Sequence, residues 1–185
     1  SLDALLVGVN TAIIDDPSLT TRLPDTKDKR DPVRVILDTH LRLSPDARVL
    51  RQQSDAQTWI YCGPEANSDL KDHLIEAGAS VFPVNVSSEG RLDIRTVFSH
   101  LGANGITSVL VEGGASIHGS MFANDLVDEV YLFTAPVFIG DKGTALLAGC
   151  SGMSLDNCPR IEKMDCRMLG DDILLHGYVQ HCESR

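Results

Sequence analysis

Short apolar runs recur along the chain, and each of them ends at polar or small residues. Runs of this kind, rich in β-branched residues, are typical of strands buried on both faces of a parallel sheet. They predict six strands, which span residues 5–9, 33–37, 58–62, 80–84, 108–111 and 129–134. Two further apolar runs, at residues 161–168 and 173–179, flank Leu169-Gly170-Asp171-Asp172 and predict a closing β-hairpin.

Amphipathic segments with capping residues lie between these strands. Asn67 or Ser68 caps a predicted helix that runs to about Ala77, and Asp93 caps a second one that Gly102 ends. Further helical segments are predicted at residues 11–14 and 115–123. Strands that alternate with helices indicate an α/β domain with a mostly parallel sheet. The C-terminal hairpin would add antiparallel edge strands to it, and we expect a single domain over residues 1–185.

The charge balance narrows the range of partners. The 185 residues include 16 basic and 26 acidic side chains, which gives a net charge of −10. A protein with this negative charge binds nucleic-acid backbones and anionic membrane surfaces poorly. We therefore expect neither of them as a partner. No apolar run approaches the roughly 18 residues that would span a bilayer, and no signal peptide is visible.

The cysteines and histidines point away from a metal or disulfide framework. Five cysteines occur without a C-x-x-C pair, and the six histidines lack H-x-x-x-H spacing. We therefore expect no metal site and reduced thiols in the cytoplasm. The sequence begins without Met and already inside an apolar run, so Ser1 is interpreted as a cut boundary.

Polar residues follow three predicted strands at their carboxyl ends, where open α/β sheets bind ligands. These segments are Asn10-Thr11 with the nearby Asp15-Asp16-Pro17, then Asp38-Thr39, then Glu112-Gly113-Gly114. Two glycines between a strand and a helix permit positive φ, and the helix amino end favours a phosphate. A tight turn with helix packing explains the same glycines, so both interpretations stay open.

The other candidate residues also have two interpretations on local grounds. Asp15 and Asp16 suit acid–base or metal chemistry, but the following proline favours a turn. Arg22 is a surface arginine or a fork for phosphate. Glu112 hydrogen-bonds a polar heterocycle or is a carboxylate at a helix amino end. His118 is more often a packing residue than a catalytic one.

Taken together, these segments resemble the reductase domain of riboflavin biosynthesis. Residues 3–22 (DALLVGVNTAIIDDPSLTTR) look like its signature, and VRVILDT at residues 33–39 is similar to its second strand. The glycine-loop region of the family is matched by VEGGASIHGS at residues 111–120, LVDEV at 126–130 and APVFIG at 135–140. The resemblance covers nearly the whole chain in the expected order. It implies a dihydrofolate-reductase-like, three-layer fold and NADPH as cofactor.

The resemblance also implies an activity and a set of contact residues. Members reduce 5-amino-6-(5-phosphoribosylamino)uracil to the ribitylamino compound, by hydride transfer to C1′ of the ring-opened ribose. The implied NADPH contacts are Thr11, Asp15, Thr39, Gly114, Ala115, Ser116, Ile117, His118, Gly119 and Ser120. The implied substrate contacts are Leu19, Arg22 near the 5-phosphate, and Glu112 on the pyrimidine ring. These implications override the local preferences for Asp15, Arg22 and Glu112.

Two departures from the family accompany the match. The family's domain begins with a further strand and helix that carry contacts, and these are missing from the 185 residues. His118 stands where a small or apolar residue is expected. No matched His or Tyr offers a proton for the reaction, which leaves water or an Asp, and the catalytic residue is unassigned.

Other functions remain as alternatives. They are a reductase of the diamino precursor, another pterin or pyrimidine reductase such as dihydrofolate reductase, and a non-catalytic nucleotide-binding module. The segment from Asp15 to Arg22 suits a phosphorylated sugar and is absent from dihydrofolate reductases. Family members are commonly dimers, so we expect a homodimer, for which residues 130–133 offer an apolar strand. Many bacterial members are fused to a deaminase. The chain lacks the zinc-deaminase pattern of His-x-Glu followed by Pro-Cys-x-x-Cys.

Overall fold

The computed structural model describes residues 2–22, 30–150 and 158–181. The chain divides into two compact units, residues 1–114 and residues 115–185, here called the first and the second unit. Among the described residues, no helix has the length and apolar character needed to cross a bilayer.

The first unit is built on five parallel strands. They are β1 (Ala4–Gly8), β2 (Val33–Leu37), β3 (Thr58–Cys62), β4 (Ala79–Pro83) and β5 (Val109–Gly113). The sheet order is β4-β3-β2-β1-β5, and every neighbouring pair is parallel. The predicted positions of all five strands are confirmed, although β5 continues through Gly113 instead of ending at Val111.

The central strands of this sheet form the core of the first unit. Leu6, Val35, Ile36 and Ile60 are each 0% exposed, as continuous apolar runs in a parallel sheet predict. Trp59 on β3 is the single tryptophan of the chain. Its ring contacts Phe82 on β4 at a centroid distance of 5.5 Å.

Three helices join the strands of the first unit: α1 (Val9–Asp15), α2 (Ser68–Glu76) and α3 (Ile94–Ala103). The predicted caps are confirmed, because the side chain of Asn67 accepts the backbone N–H groups of Asp69 and Leu70. Asp93 does the same for Arg95 and Thr96. A short 3₁₀ helix at Arg48–Leu50 was not predicted from the sequence.

The second unit contains α4 (Ala115–Ala123), β6 (Glu129–Thr134), β7 (Arg160–Leu169) and β8 (Asp172–Gln180). Its sheet has the order β6-β8-β7, with both pairs antiparallel. The C-terminal hairpin is confirmed, with Gly170 at φ +64° in the turn between β7 and β8. The prediction that this hairpin extends the parallel sheet is wrong for the described residues, in which the hairpin pairs with β6 in a second sheet. A 3₁₀ helix at Gly140–Lys142 completes the described elements.

Candidate functional site

The carboxyl ends of β2, β1 and β5 lie side by side, because these three strands are adjacent and parallel. Thr11 follows β1 on α1, Thr39 lies just after β2, and Glu112 is near the end of β5. The structure therefore brings the three predicted ligand-binding segments to one edge of one sheet. This is the edge at which open α/β sheets bind ligands.

Thr11 and Gly113 are in close contact at this edge. A Cβ added to Gly113 would lie 3.0 Å from Thr11 Oγ1 and 3.3 Å from Thr11 Cγ2. Gly113 is buried inside β5, whereas Gly114 has φ +95° and leads directly into α4. The two positions therefore require glycine for different reasons. Gly113 leaves room for the close approach of Thr11, and Gly114 adopts left-handed backbone.

Glu112 occupies an irregularity in the pairing of β5 with β1. Leu6 pairs with Val111 and the next residue, Val7, pairs with Gly113, so Glu112 is the extra residue of a β-bulge. A bulge turns a side chain away from the regular alternation, and bulges are enriched beside active sites. The Glu112 side chain is exposed, so its carboxylate is available at the edge that Thr11 occupies.

The segment after α1 holds two residues in left-handed backbone. Asp16 has φ +39° and Leu19 has φ +50°, a conformation that costs energy for a residue other than glycine. Asp16 Oδ1 accepts the Arg48 backbone N–H at 2.8 Å, which anchors the turn. Asp15 is exposed at the end of α1. Leu19 is 6% exposed and belongs to the hydrophobic core of the first unit, so its predicted contact with substrate stays a prediction.

Arg22 is exposed where this segment ends, and its backbone is held by a clamp from the neighbouring Thr21. The Thr21 N–H donates to Asp31 Oδ1 at 2.8 Å, and the Thr21 hydroxyl donates to the Arg30 carbonyl at 2.9 Å. Burial opposes ionisation of Asp31, but the hydrogen bonds from Thr21 outweigh it and lower the pKa of that carboxyl. Asp31 therefore accepts the Thr21 N–H as a carboxylate, and this bond fixes the backbone directly before Arg22.

The loop after β2 is organised by the carboxylate of Asp38, which is 0% exposed. Its Oδ2 accepts the Leu43 N–H at 2.8 Å, and its own N–H donates to the Tyr61 carbonyl at 2.9 Å. Among the described residues, Asp38 Oδ1 has no hydrogen-bond partner. The Thr39 carbonyl accepts the Gly63 N–H at 3.0 Å, so the backbone of Thr39 is fixed to the end of β3.

Two residues of this loop were missed from the sequence. Asp38 was noted only as a strand-end residue, and Arg42 was not singled out. Arg42 Nη2 donates to Asn10 Oδ1 at 2.8 Å, which links the loop to α1. No local signal marks Arg42, because its partner lies 32 residues earlier in the chain.

Within the second unit, packing accounts for part of the predicted glycine-loop helix. A Cβ on Gly119 would lie 1.9 Å from the Ala148 carbonyl oxygen, so only glycine fits there. The Ala115 carbonyl accepts the Ala148 N–H at 2.9 Å, and His118 Nδ1 lies 3.3 Å from the Leu146 carbonyl oxygen. His118 thus has a packing role that the sequence did not explain.

The remaining predicted residues of α4 differ in exposure. Ser116 is exposed, and Ile117 and Ser120 are half-buried. The predicted phosphate contacts of residues 114–120 stay a prediction. Among the described residues, no three His, Cys, Asp or Glu side chains are grouped as metal ligands.

Comparisons with known proteins show which sequences and folds this chain resembles. The chain is 40% identical over 172 residues to the riboflavin biosynthesis protein RibD of Bacillus amyloliquefaciens, covering 92% of this chain and 45% of the relative. It is 30% identical over 181 residues to the 2,5-diamino-6-ribosylamino-4(3H)-pyrimidinone 5′-phosphate reductase of Methanothermobacter thermautotrophicus, covering 96% and 80%. The chain thus spans about half the length of the RibD relative and most of the archaeal one.

A solved structure shares the fold. It is the diaminohydroxyphosphoribosylaminopyrimidine deaminase/5-amino-6-(5-phosphoribosylamino)uracil reductase of Thermotoga maritima, with a TM-score of 0.70 and 27% identity. The similarity covers 98% of this chain and 46% of that one. The predicted dihydrofolate-reductase-like fold, with its parallel sheet and antiparallel hairpin, is confirmed. The RibD C-terminal domain model matches residues 1–175, and the chain belongs to that family.

Proposed function

We propose that this protein is the NADPH-dependent reductase of riboflavin biosynthesis that converts 5-amino-6-(5-phosphoribosylamino)uracil to 5-amino-6-(5-phosphoribitylamino)uracil. One observation carries the proposal: Glu112 is bulged out at the strand edge where Thr11 closes on Gly113. The names of the relatives support it, since they belong to riboflavin biosynthesis and to a phosphorylated ribosylaminopyrimidine reductase.

The residues at this edge fit a dinucleotide coenzyme. The exposed Gly114 leaves its backbone open to approach without a side chain, and Asp38 Oδ1 is a buried acceptor without a partner among the described residues. Thr11, Asp15 and Thr39 are the first-unit residues that we assign to holding the coenzyme. A bound NADPH would supply hydride chemistry at this edge, for reduction at C1′ of the ribose.

The chain supplies orientation and electrostatics for the substrate. The Glu112 carboxylate accepts hydrogen bonds from the N–H groups of the pyrimidine, and its bulge holds it at the strand edge. The Arg22 guanidinium binds the 5-phosphate as a fork, and the clamp at Thr21 limits the freedom of its backbone. Leu19, which the resemblance assigns to the substrate, is buried in left-handed backbone and holds the segment that leads to Arg22 against the core.

The form of the pyrimidine distinguishes two closely related activities. The Thermotoga maritima protein is named as a reductase of the uracil compound, and the archaeal relative as a reductase of the diamino compound. We assign the uracil compound because the resemblance of residues 3–22 and 111–120 implies it and because the name of the Thermotoga maritima protein includes its reduction. Reduction of the diamino compound is the second candidate.

The test is steady-state oxidation of NADPH by the full-length protein, followed by absorbance, with each phosphoribosylaminopyrimidine in turn. We expect oxidation that depends on substrate and is faster with the uracil compound. Arg22→Ala should raise the KM for substrate by about 10- to 100-fold, as loss of a charged hydrogen bond to phosphate predicts. Arg91→Ala is the matched control, because Arg91 is ion-paired with Glu89 on the surface.

Two results would overturn this proposal. Saturable binding of NADPH, without its oxidation in the presence of either pyrimidine, would indicate a nucleotide-binding module or a reductase of another substrate. Faster turnover of the diamino compound would replace the first candidate by the second. Equal loss of activity in Arg22→Ala and Arg91→Ala would remove the phosphate role of Arg22.

The proposal extends to partners and location. The RibD and Thermotoga maritima relatives are about twice as long as the matched region, and the latter's name includes a deaminase, so we propose a fused or separate deaminase. A homodimer is supported by Tyr131 and Phe133, which are exposed on alternate positions of β6. Free thiols at Cys62, Cys150 and Cys166 are compatible with the reducing cytoplasm, where we place the enzyme.

A further inference from the structure

We propose that Arg42 recognises the 2′-phosphate of the coenzyme and thereby makes the enzyme prefer NADPH to NADH. The inference rests on the proposed function and deepens it, since it assigns coenzyme choice to one side chain that the sequence did not single out.

The backbone of Arg42 is fixed on both sides. Leu41 is 1% exposed and Leu43 is 4% exposed, and both belong to the hydrophobic core of the first unit. Asp38 Oδ2 accepts the Leu43 N–H, and Leu41 has φ +53°, so the loop has one defined path. With its neighbours buried, Arg42 must place its guanidinium at the surface, where it is exposed.

The guanidinium is also oriented. Its Nη2 donates to Asn10 Oδ1 at 2.8 Å, and Asn10 lies on α1 next to Thr11. This hydrogen bond uses one of the five donors of a guanidinium and leaves the others for a ligand. Because Arg42 lies three residues after Thr39, both belong to the loop at the carboxyl end of β2.

The charge of Arg42 is uncompensated, unlike that of three other surface arginines in the first unit. Arg48, Arg51 and Arg91 form ion pairs with Asp16, Asp46 and Glu89. Arg42 makes no ion pair with a carboxylate in the described parts of the chain, and its hydrogen-bond partner is a neutral amide. In a protein with a net charge of −10, an oriented arginine without a carboxylate beside a ligand edge favours an anion.

The 2′-phosphate is the anion that best suits this position. The substrate phosphate is assigned to Arg22, and the coenzyme diphosphate is expected at the glycine loop. Arg42 shares its loop with Thr39, a predicted coenzyme contact whose hydroxyl supplies a further donor for phosphate. NADPH differs from NADH only by this phosphate, so one guanidinium decides the preference, as nearby arginines do in other dinucleotide folds.

The test compares kcat and KM for NADPH and NADH in the full-length wild type, Arg42→Ala and Arg42→Lys. Arg42→Ala should raise the KM for NADPH by about 10- to 100-fold and leave the KM for NADH and both kcat values unchanged. Arg42→Lys should restore part of the preference, since it keeps the charge and loses the fork. Arg51→Ala is the matched control, and its preference should equal that of the wild type.

Binding of adenosine 2′,5′-bisphosphate and of AMP, measured by calorimetry, separates this inference from the proposed function. The wild type should bind the bisphosphate more tightly than AMP, and Arg42→Ala should lose that difference. This result supports the inference even if neither pyrimidine is reduced, a failure that would overturn only the proposed function. The inference about Arg42 would be overturned if Arg42→Ala kept the preference for NADPH. It would also be overturned if Arg42→Ala lost affinity for the bisphosphate and for AMP equally.

Discussion

The two ends of the parallel sheet satisfy their polar groups in opposite ways. At the amino end, Asp3 Oδ2 accepts hydrogen bonds from the backbone N–H groups and hydroxyls of Thr107 and Ser108, so the chain meets its own needs. At the carboxyl end, Glu112 is exposed, and Asp38 Oδ1 has no partner in the described residues. One end thus satisfies its polar groups within the chain, whereas the other leaves Glu112 exposed and Asp38 Oδ1 without a partner in the described residues.

Backbone conformation follows the same division. Among the described residues of the first unit, the non-glycine residues in left-handed backbone are Asp16, Leu19 and Leu41, and all three lie in segments that follow the carboxyl ends of β1 and β2. Strain of this kind persists only where the surrounding structure enforces it, and it is concentrated at functional sites. The same parallel strands are therefore stabilised by hydrogen bonds at their amino ends and carry strained, open loops at their carboxyl ends.

The largest expected effect is at the carboxyl end. Glu112→Gln keeps the size of the side chain and removes its charge, so hydrogen bonds to the pyrimidine lose their charge assistance. We expect kcat/KM for the pyrimidine to fall by about 10- to 100-fold. The midpoint of thermal unfolding should change little, because Glu112 is exposed in a bulge.

Glu89→Gln provides the control for this variant. It removes one exposed carboxylate that is ion-paired with Arg91, and kcat/KM should equal that of the wild type. If Glu112→Gln instead lowered stability and left kcat/KM intact, the bulge would be a structural feature and the contrast between the two ends would fail.

A smaller effect is expected where Gly113 contacts Thr11. Gly113→Ala places a methyl group 3.0 Å from Thr11 Oγ1 and should lower the free energy of unfolding by about 1–2 kcal/mol. Adding Thr11→Ala removes the two closest atoms and leaves Cβ at 3.6 Å, an ordinary contact. Denaturant unfolding of the single and double variants should therefore show that Thr11→Ala restores most of the loss.

Gly102→Ala is the matched control for this pair. A Cβ there meets nothing within 4 Å inside α3, so the variant should be more stable than the wild type by about 0.5–1 kcal/mol. Strictly additive effects of Gly113→Ala and Thr11→Ala would contradict the direct contact.

The smallest effect concerns the amino end. Hydrogen bonds from Thr107 lower the pKa of Asp3 from 3.8 to about 2. Because the pKa is depressed on folding, the contribution of Asp3 to stability is fully present above pH 4 to 5 and is lost as the pH falls towards 2. Asp3→Asn should therefore unfold at a lower temperature than the wild type at pH 7, and the difference should shrink steadily as the pH falls from 4 towards 2.

The activity of Asp3→Asn tests whether the amino end of the sheet also takes part in function. Asp3→Asn should keep the wild-type kcat/KM at pH 7, because Asp3 lies at the end of β1 opposite Thr11. A pH-independent difference in unfolding temperature would contradict the assigned role of the Asp3 carboxylate.

Local signals were sufficient to predict most of the fold. The strands at residues 33–37 and 58–62 have the predicted bounds, because each apolar run is bounded by its own turn residues. The caps at Asn67 and Asp93 were equally clear, since a cap bonds to backbone only two or three residues away.

The features that sequence analysis missed depend on distant partners. The bulge at Glu112 arises from pairing with β1, about a hundred residues earlier in the chain. The orientation of Arg42 depends on Asn10, and Gly119 is required by a carbonyl at Ala148. The antiparallel pairing of β6 with β8 likewise joins segments that no local pattern connects. Candidate site residues were identified through the family resemblance, and their functional roles stay predictions.

The solitary indole on β3 gives the molecule a built-in spectroscopic label. Trp59 belongs to the first unit, whereas the second unit contains Tyr131 and Tyr178 and no tryptophan. Emission excited at the red edge of indole absorption therefore follows the melting of the parallel sheet alone, while circular dichroism follows both sheets. Superimposable melting curves from the two signals would show that residues 1–185 unfold as one cooperative domain, and separated curves would measure the stability of each unit.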